Sequence, residues 1–358
     1  TYDLYVSPDG DGDGSSYETP TTLDNIFMNM LVPENGSVFL CNGEYEITIP
    51  WIIGQSMSLV GESCDGVKIT ADNGGFLIGD PMDPTNNYYS VGYVSFSKMT
   101  IETQASDFFL VPASMDELNI TDCVITASNH FVSVAHNVEG GVVEDSTGTL
   151  NFKKNVLVGS EAIAIAGQWN ANINNNIFID SNSGSSMVNA ETAGDIDADY
   201  NYWGSNTPAT DLEITNYIKF NANSNVSEIY TDESAKITVG ATLDDDTTSA
   251  ASYLPNYPIE VTLSAAGTLS QTDLELSNGI AQVTYTSDIA RKDNIEITVF
   301  DQTLTVPITV KERYTGVIYV ATTGSDDNEG SESAPVASIA KAIELALANG
   351  GSGEIIIN

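Results

Sequence analysis

Positive charge is what this sequence has least of. Lysine and arginine together number 11 against 50 aspartates and glutamates, a formal net charge of −39 at pH 7 over 358 residues. Nucleic acid and anionic membrane surfaces require a cationic footprint, so this balance excludes both as partners and favours cations as counter-ligands. Histidine is confined to His130 and His136, and arginine to Arg291 and Arg313. The three cysteines, Cys41, Cys64 and Cys123, make no disulfide framework in a chain of this length. No apolar run approaches the roughly 18 residues that a membrane-spanning helix needs, so no membrane insertion is expected of this segment. Thr1 is not a start residue and no secretory signal opens the chain, so processing or trimming hides whatever preceded it.

What the sequence does contain is self-similarity. Residues 5–20 read YVSPDGDGDGSSYETP, and residues 319–335 read YVATTGSDDNEGSESAP. Each is followed by an apolar-periodic run, TTLDNIFMNML and then ASIAKAIELAL. Each run leads to a short aliphatic strand closing on asparagine, VFLCN and then EIIIN. Thr1 aligns with Thr315, Tyr5 with Tyr319, Leu23 with Ile339 and Asn42 with Asn358. On this alignment Cys41 takes the place of Ile357 and reads as a small buried hydrophobe. The chain reads as one full period plus the opening of another.

A shorter period lies inside the first two hundred residues. FSKMTIE, ITDCVIT, FKKNVLV, INNNIFI and ADYNYWG start at residues 96, 120, 152, 173 and 198, in steps of 24, 32, 21 and 25 residues. Short apolar strands (FFLV, FVSV, AIAI and SMVN) precede the last four, and the longest step holds an insertion, VEGGVVEDST. Earlier rungs are expected at VFLCNGEY, MSLVGES, VKITAD and FLIGD. Strands at this spacing, with polar turns and no helices between, predict a parallel β-helix over residues 1–215, because such rungs bury their inner faces only by stacking. Seven or eight rungs at about 4.8 Å each make a rod roughly 35–40 Å long. The amphipathic residues 22–31 and 338–347 are expected to cap open strand ends. The fourth template position reads Met99, Cys123, Asn155, Asn176 and Asn201, which predicts a ladder of stacked amides that satisfies turn backbone groups.

Over residues 216–312 the pattern becomes strict alternation. Ile237, Val239, Ala241 and Leu243 share a face, as do Ile259, Val261 and Leu263, then Val283 and Tyr285. Ile295, Ile297 and Val299 follow, then Leu304, Val306, Ile308 and Val310, and Asn278-Gly279 is a hairpin signal. Short strands at this spacing predict an Ig-like β-sandwich, one without a Cys-Trp-Cys core. The fold is therefore expected to be all-β: a capped β-helix, an Ig-like domain, and at residues 313–358 the cap and first strand of a second β-helix.

IEVTLSAAGTLS and NGIAQVTYTS resemble the Ig-like repeats of invasin- and intimin-type bacterial surface proteins. The first domain is similar to the pectate-lyase-like β-helices of adhesin-like surface proteins of methanogenic archaea. That similarity runs through YVSPDG…DGSS…TP, the helix after it, NGEY and the terminal DYNYWGSNTP. The resemblance implies a right-handed coil, and β-helix and Ig-like modules alternating along an extracellular stalk. It implies other cells, surface glycans or surface proteins as partners.

Candidate chemistry is sparse. Pectate-lyase-type catalysis uses an arginine base beside calcium-binding carboxylates, and residues 1–215 hold no arginine. Polygalacturonase-type hydrolysis needs several close aspartates with a histidine and an Arg-x-Lys element, which the rungs lack. His130 and His136 flank FVSVA, with Glu144 and Asp145 in the insertion as further members of a lyase or epimerase site. The expectation is no catalytic residue and no required cofactor. Asp9, Asp11 and Asp13 form a DxDxDG run that is a candidate Ca2+ loop. Its twelfth position is Pro20, and the second copy, SDDNEG, lacks the alternation, so a solvated acidic turn is the alternative. Trp51, Trp169 and Trp203, with Tyr88, Tyr89 and Tyr93, are candidate sugar-stacking platforms. Trp169 is the best placed of them, and a packed turn aromatic is the competing reading. Glycosylation sequons stand at Asn35, Asn119 and Asn225, and Asn119 is expected to face solvent beside inward Ile120.

These features predict an extracellular adhesin-like structural protein, a segment of a modular stalk or fibre mediating attachment or cell–cell contact. One alternative is a filament subunit that self-associates head to tail by docking residues 315–358 on a neighbour's β-helix. The other is a β-helix polysaccharide lyase or epimerase.

Overall fold

Alternating apolar residues make strands, and here the strands stack in parallel on the strand one turn before them. The computed structural model describes residues 1–79, 90–180, 186–312, 316–348 and 354–358. Two compact units divide the chain, residues 1–220 with 241–258, and residues 221–240 with 259–358. The division falls inside strands Ile218–Ser224 and Ala235–Leu243.

The first unit is a coil of three parallel sheets with eight, seven and six strands. Its first sheet runs from Leu4–Val6 through Gly36–Leu40, Met57–Gly61, Val91–Ser97, Met115–Thr121, Thr147–Lys153 and Gln168–Asn174 to Ile196–Asp197. Its second begins at Gly43–Glu46 and ends at Tyr202–Trp203, and its third begins at Trp51–Ile53 and ends at Val188–Ala190. Each turn therefore carries three strands, where the sequence template showed two. The template had merged the end of a first-sheet strand, a tight bend and a second-sheet strand into one segment. The bend explains the merger, because its third residue is left-handed in every copy: Lys98, Asp122, Lys154, Asn175 and Tyr200, all at φ between 54° and 64°. Non-glycine residues rarely hold that conformation, so the bend leaves no glycine in the sequence to betray it.

Inside the coil Phe76, Phe96, Phe109, Phe131, Phe152 and Phe178 form a chain of ring contacts with centroids 4.7–6.3 Å apart, ending on Trp203. At the N-terminal end, helix Leu23–Met28 is capped by the Thr22 hydroxyl, which accepts from the Asn25 N–H, and it buries Leu23 and Ile26. The helix stops there. Met30 is left-handed and, like Leu31, exposed, so neither joins the buried face expected of residues 22–31.

In the second unit a four-stranded sheet is ordered Ile218–Ser224, Ala235–Leu243, Ile280–Thr286, Thr268–Leu269. A five-stranded sheet is ordered Glu228–Tyr230, Gln302–Lys311, Arg291–Val299, Glu260–Ser264, Asp273–Glu275. Alternate residues are buried along both, as an Ig-like sandwich requires. Asn278 and Gly279 form the expected two-residue turn at positive φ, closed by reciprocal Ser277–Ile280 bonds. The strands it joins belong to different sheets, so it turns the chain across the sandwich and makes no ladder. The long hairpin is Arg291–Val299 with Gln302–Lys311, closed by Phe300-Asp301, in which Phe300 takes the left-handed conformation.

Asp293 is buried in this unit. Its carboxylate accepts from the Tyr285 hydroxyl (2.8 Å), the Gly267 N–H (2.8 Å) and the Ala266 N–H (3.3 Å). Burial pushes its pKa up, but these donors outweigh it and hold the group below the usual carboxylate range. A depressed folded pKa contributes stability above the unfolded value, near 3.9, and loses it as pH falls through the folded value. Asp293→Asn is expected to cost about 1–3 kcal/mol at neutral pH and to flatten the acid limb. Urea midpoints from pH 7 to pH 2 check this; parallel curves for both proteins would contradict it.

The second copy of the opening closes the chain. Val317–Val320 pairs in parallel with Glu354–Ile357, and helix Ile339–Ala348 lies between them in sequence. Thr315 and Arg313 lie outside the described residues. The copy repeats main-chain bonds of the first. Tyr5 donates to Gly14 O and Tyr319 to Gly330 O, both at 2.8 Å; Thr21 donates to Tyr5 O at 3.0 Å and Val336 to Tyr319 O at 2.9 Å. The register differs from the sequence alignment by one residue, since Cys41 N–H donates to Val6 O as Asn358 N–H does to Val320 O, both at 2.8 Å. Asn358 thus matches Cys41, and Ile357 matches Leu40. Matching the two terminal asparagines ignored a one-residue difference in the helix–strand connection.

Candidate functional site

The amide ladder occupies the bend between first and second sheets. Asn155, Asn176 and Asn201 are fully buried. The Cys123 N–H donates to Asn155 Oδ1, the Asn155 N–H to Asn176 Oδ1 and the Asn176 N–H to Asn201 Oδ1, all at 2.9 Å. Their Nδ2 groups donate back to Ile120 O (2.8 Å), Phe152 O (2.8 Å) and Ile173 O (2.6 Å). Each amide therefore ties the bend of one turn to the turn before it. A second ladder, which the sequence template missed, runs along the outer face of the first sheet. Asn172 Nδ2 donates to Asn151 Oδ1 at 2.8 Å, and Asn151 Nδ2 to Asn119 Oδ1 at 2.7 Å. The template segments begin one residue after each of these asparagines, at Ile120, Phe152 and Ile173, and so left the column out.

The sequon at Asn119 thus places its amide in this outer ladder, half exposed, with Nδ2 donating to Glu117 Oε2 at 3.2 Å. Asn35 and Asn225 are exposed at the surface.

The acidic run Asp9, Asp11 and Asp13 is not gathered into a cage. Among the described residues no three carboxylate, imidazole or thiol groups are placed to hold a metal ion. Asp13 Oδ1 is turned onto its own loop, accepting from Ser15 N (3.0 Å), Ser15 Oγ (2.6 Å) and Thr19 Oγ1 (3.2 Å). These bonds lower its pKa. The alternating glycines have a packing cause. A Cβ on Gly10 would lie 2.3 Å from Thr21 O, and one on Gly12 2.4 Å from Thr19 O. Gly12→Ala is accordingly expected to destabilise the cap by about 1–3 kcal/mol. A melt with and without millimolar Ca2+ checks it. An unchanged melting temperature would refute the packing account, and rescue by Ca2+ would restore the calcium loop.

Of the histidines, His130 Nδ1 lies 3.2 Å from Asp107 Oδ1, which also accepts the Ser133 hydroxyl. That bond holds His130 above its ordinary pKa against burial. Burial raises Asp107, and the His130 and Ser133 bonds outweigh it. The carboxylate sits between the hydroxyl and the imidazole, so the serine donates its proton to the carboxylate and not to the imidazole. His136 Nδ1 is 2.9 Å from Val134 O. Among the described residues no hydrogen bond or ion pair joins Glu144 or Asp145 to either histidine. Burial raises the pKa of all three thiols, so none is an activated nucleophile.

Trp169 is fully buried, its Nε1 donating to Ser146 Oγ at 2.9 Å, and Trp203 is buried. Tyr93 is half-buried, while Tyr88 and Tyr89 lie outside the described residues. Trp51 stacks on Phe27, with centroids 5.7 Å apart, beside an apolar cleft walled by Met28, Met30 and Ile52.

No family model matches the sequence, and no curated protein matches it. Among solved structures, the chain is similar to the D0–D1 domain of intimin at 20% identity, over 26% of this chain and 45% of that one, with a TM-score of 0.19. It is similar to a C-terminal 282-residue fragment of intimin in complex with the intimin-binding domain of the translocated intimin receptor at 21% identity, over 30% and 38%, with a TM-score of 0.22. For domains 4 and 5 of the S-layer protein SbsC the identity is 12%, over 27% and 54%, with a TM-score of 0.20. The chain spans about half or less of each of these structures.

Proposed function

We propose that this chain is an extracellular adhesin-like structural protein, a segment of a modular surface stalk that holds its contact surfaces away from the cell. The observation that carries this reading is the stacked main chain of the first unit. Its eight-, seven- and six-stranded parallel sheets are locked turn to turn by buried asparagines. Such a coil resists bending because every turn is bonded to its neighbours along three faces. The surplus of carboxylates keeps neighbouring stalks apart by like-charge repulsion and gathers divalent cations diffusely. No catalytic role is assigned to His130; Asp107 ties it and Ser133, both on strand His130–Val134, to the turn before. Antibodies raised to the chain should label intact source cells, and beads coated with it should adhere to cells or surface glycans. Labelling only after permeabilisation would sink the proposal.

A further inference from the structure

Sixteen tyrosines are spread along the chain, and two of them, 53 residues apart in sequence, are held face to face. The rings of Tyr200 and Tyr253 lie with centroids 4.3 Å apart and planes 4° from parallel, closer than the roughly 4.5–7 Å usual for aromatic pairs. Both residues are partly exposed, so a small oxidant reaches them.

Main-chain bonds fix each ring in place. Tyr200 is left-handed, at φ 63°; its N–H donates to Asn216 O at 2.8 Å, and its own O accepts from the Asn175 N–H at 3.0 Å. Tyr253 ends the single helical turn Ala251–Tyr253, and its N–H donates to Ala250 O at 2.9 Å. Ala250 is fully buried and donates to Ala241 O at 3.0 Å. Lys219 and Asp246, 2.5 Å apart, hold the same 241–258 segment, and all of these residues belong to the first unit.

A phenol, unlike the phenylalanine rings inside the coil, gives up one electron and one proton to yield a phenoxyl radical that shares its unpaired electron with the Cε carbons. Two such radicals held in contact couple efficiently, because folding has already oriented the pair. We propose that Tyr200 and Tyr253 are a site of oxidative cross-linking, joined Cε to Cε as dityrosine by hydrogen peroxide acting through a haem peroxidase. Each phenol loses one electron and one proton, and the peroxide takes up both electrons and both protons to leave two waters. One C–C bond forms, and the hydrogens on the two joined carbons move to the phenoxyl oxygens, which restores both rings. The bond closes a covalent loop between residues 200 and 253 and so restricts the unfolded chain. The site is independent of a stalk role.

Treating the dilute full chain with hydrogen peroxide and a haem peroxidase, with dityrosine fluorescence and peptide mass mapping as readouts, should give one main product. It is a cross-linked peptide pair containing Tyr200 and Tyr253, lighter by two hydrogens than its parts. The yield should fall about tenfold or more in urea, where the rings are no longer held together, and the cross-linked protein should need more urea to unfold. Tyr253→Phe and Tyr200→Phe, each checked for folding by circular dichroism, should abolish the product. Tyr17→Phe, at a residue 50% exposed, should leave it unchanged. Absence of the product, or equal yields from folded and unfolded protein, would overturn the proposal. So would coupling of Tyr2 with Tyr5 in its place, whose rings meet edge-on at 6.1 Å and 87°, or cross-links between chains alone.

Discussion

Asn176→Leu is expected to lower the stability of the coil by about 4 kcal/mol, although leucine fills the site and is the more apolar residue. The asparagine accepts the Asn155 N–H and donates to Phe152 O and Asn201 Oδ1. Leucine makes none of these bonds. It strands the Asn155 N–H and the Phe152 carbonyl in the interior, and each unpaired buried group costs about 1–3 kcal/mol. The bend itself adds to the loss, because Asn175 is held in the left-handed region by bonds on either side of it. The comparison that isolates the effect is Asn172→Ala on the outer ladder, where water replaces the lost partner and the cost should stay below about 1 kcal/mol. Urea denaturation followed by far-ultraviolet circular dichroism gives both values. Equal losses at the two positions would mean that the buried amides fill space and do not fasten the turns.

The parts of this fold that repeat were legible, and the parts set by contact between turns were not. The asparagine column showed itself because one residue type recurs at one template position. The caps showed themselves because ten residues of turn chemistry recur more than three hundred residues apart. The third strand of each turn stayed hidden because a short bend without glycine joins the first-sheet strand to the second-sheet strand, so the two read as one segment. The left-handed bend residues Lys98, Asp122, Lys154 and Asn175 have no common chemistry, so no residue type marks the bend. Asp107 and Ser133 were unreadable as partners for the same reason: 26 residues separate them and only the stacking brings them within bonding distance. The glycines of the acidic run have a cause that only the fold shows, since Gly10 and Gly12 pass too close to residues 19–21 to carry a Cβ.

Trp169→Ala should cost about 3–5 kcal/mol, the range for emptying a buried aromatic site. From sequence alone Trp169, in the turn GQWNAN, was the better candidate of the tryptophans for an exposed platform, with a packed turn aromatic as the favoured reading, and the packed reading holds. The slot that takes it in is built by other turns. Gly148, paired with it in register, leaves room for the ring, where a Cβ would come within 2.7 Å of the indole. Ser146 supplies the acceptor for its Nε1. Gly148→Ala should therefore weaken the same slot from the opposite side, and the double variant should cost less than the sum of the two, since they share one contact. Acrylamide quenching of a protein keeping Trp169 as its only tryptophan measures exposure directly, and a neutral quencher avoids repulsion by the acidic surface. A shielded fluorophore with a large loss of stability in Trp169→Ala assigns the residue to the core. Free quenching, with weakened glycan adhesion and unchanged stability in Trp169→Ala, would return it to the surface and make it the contact residue of the stalk.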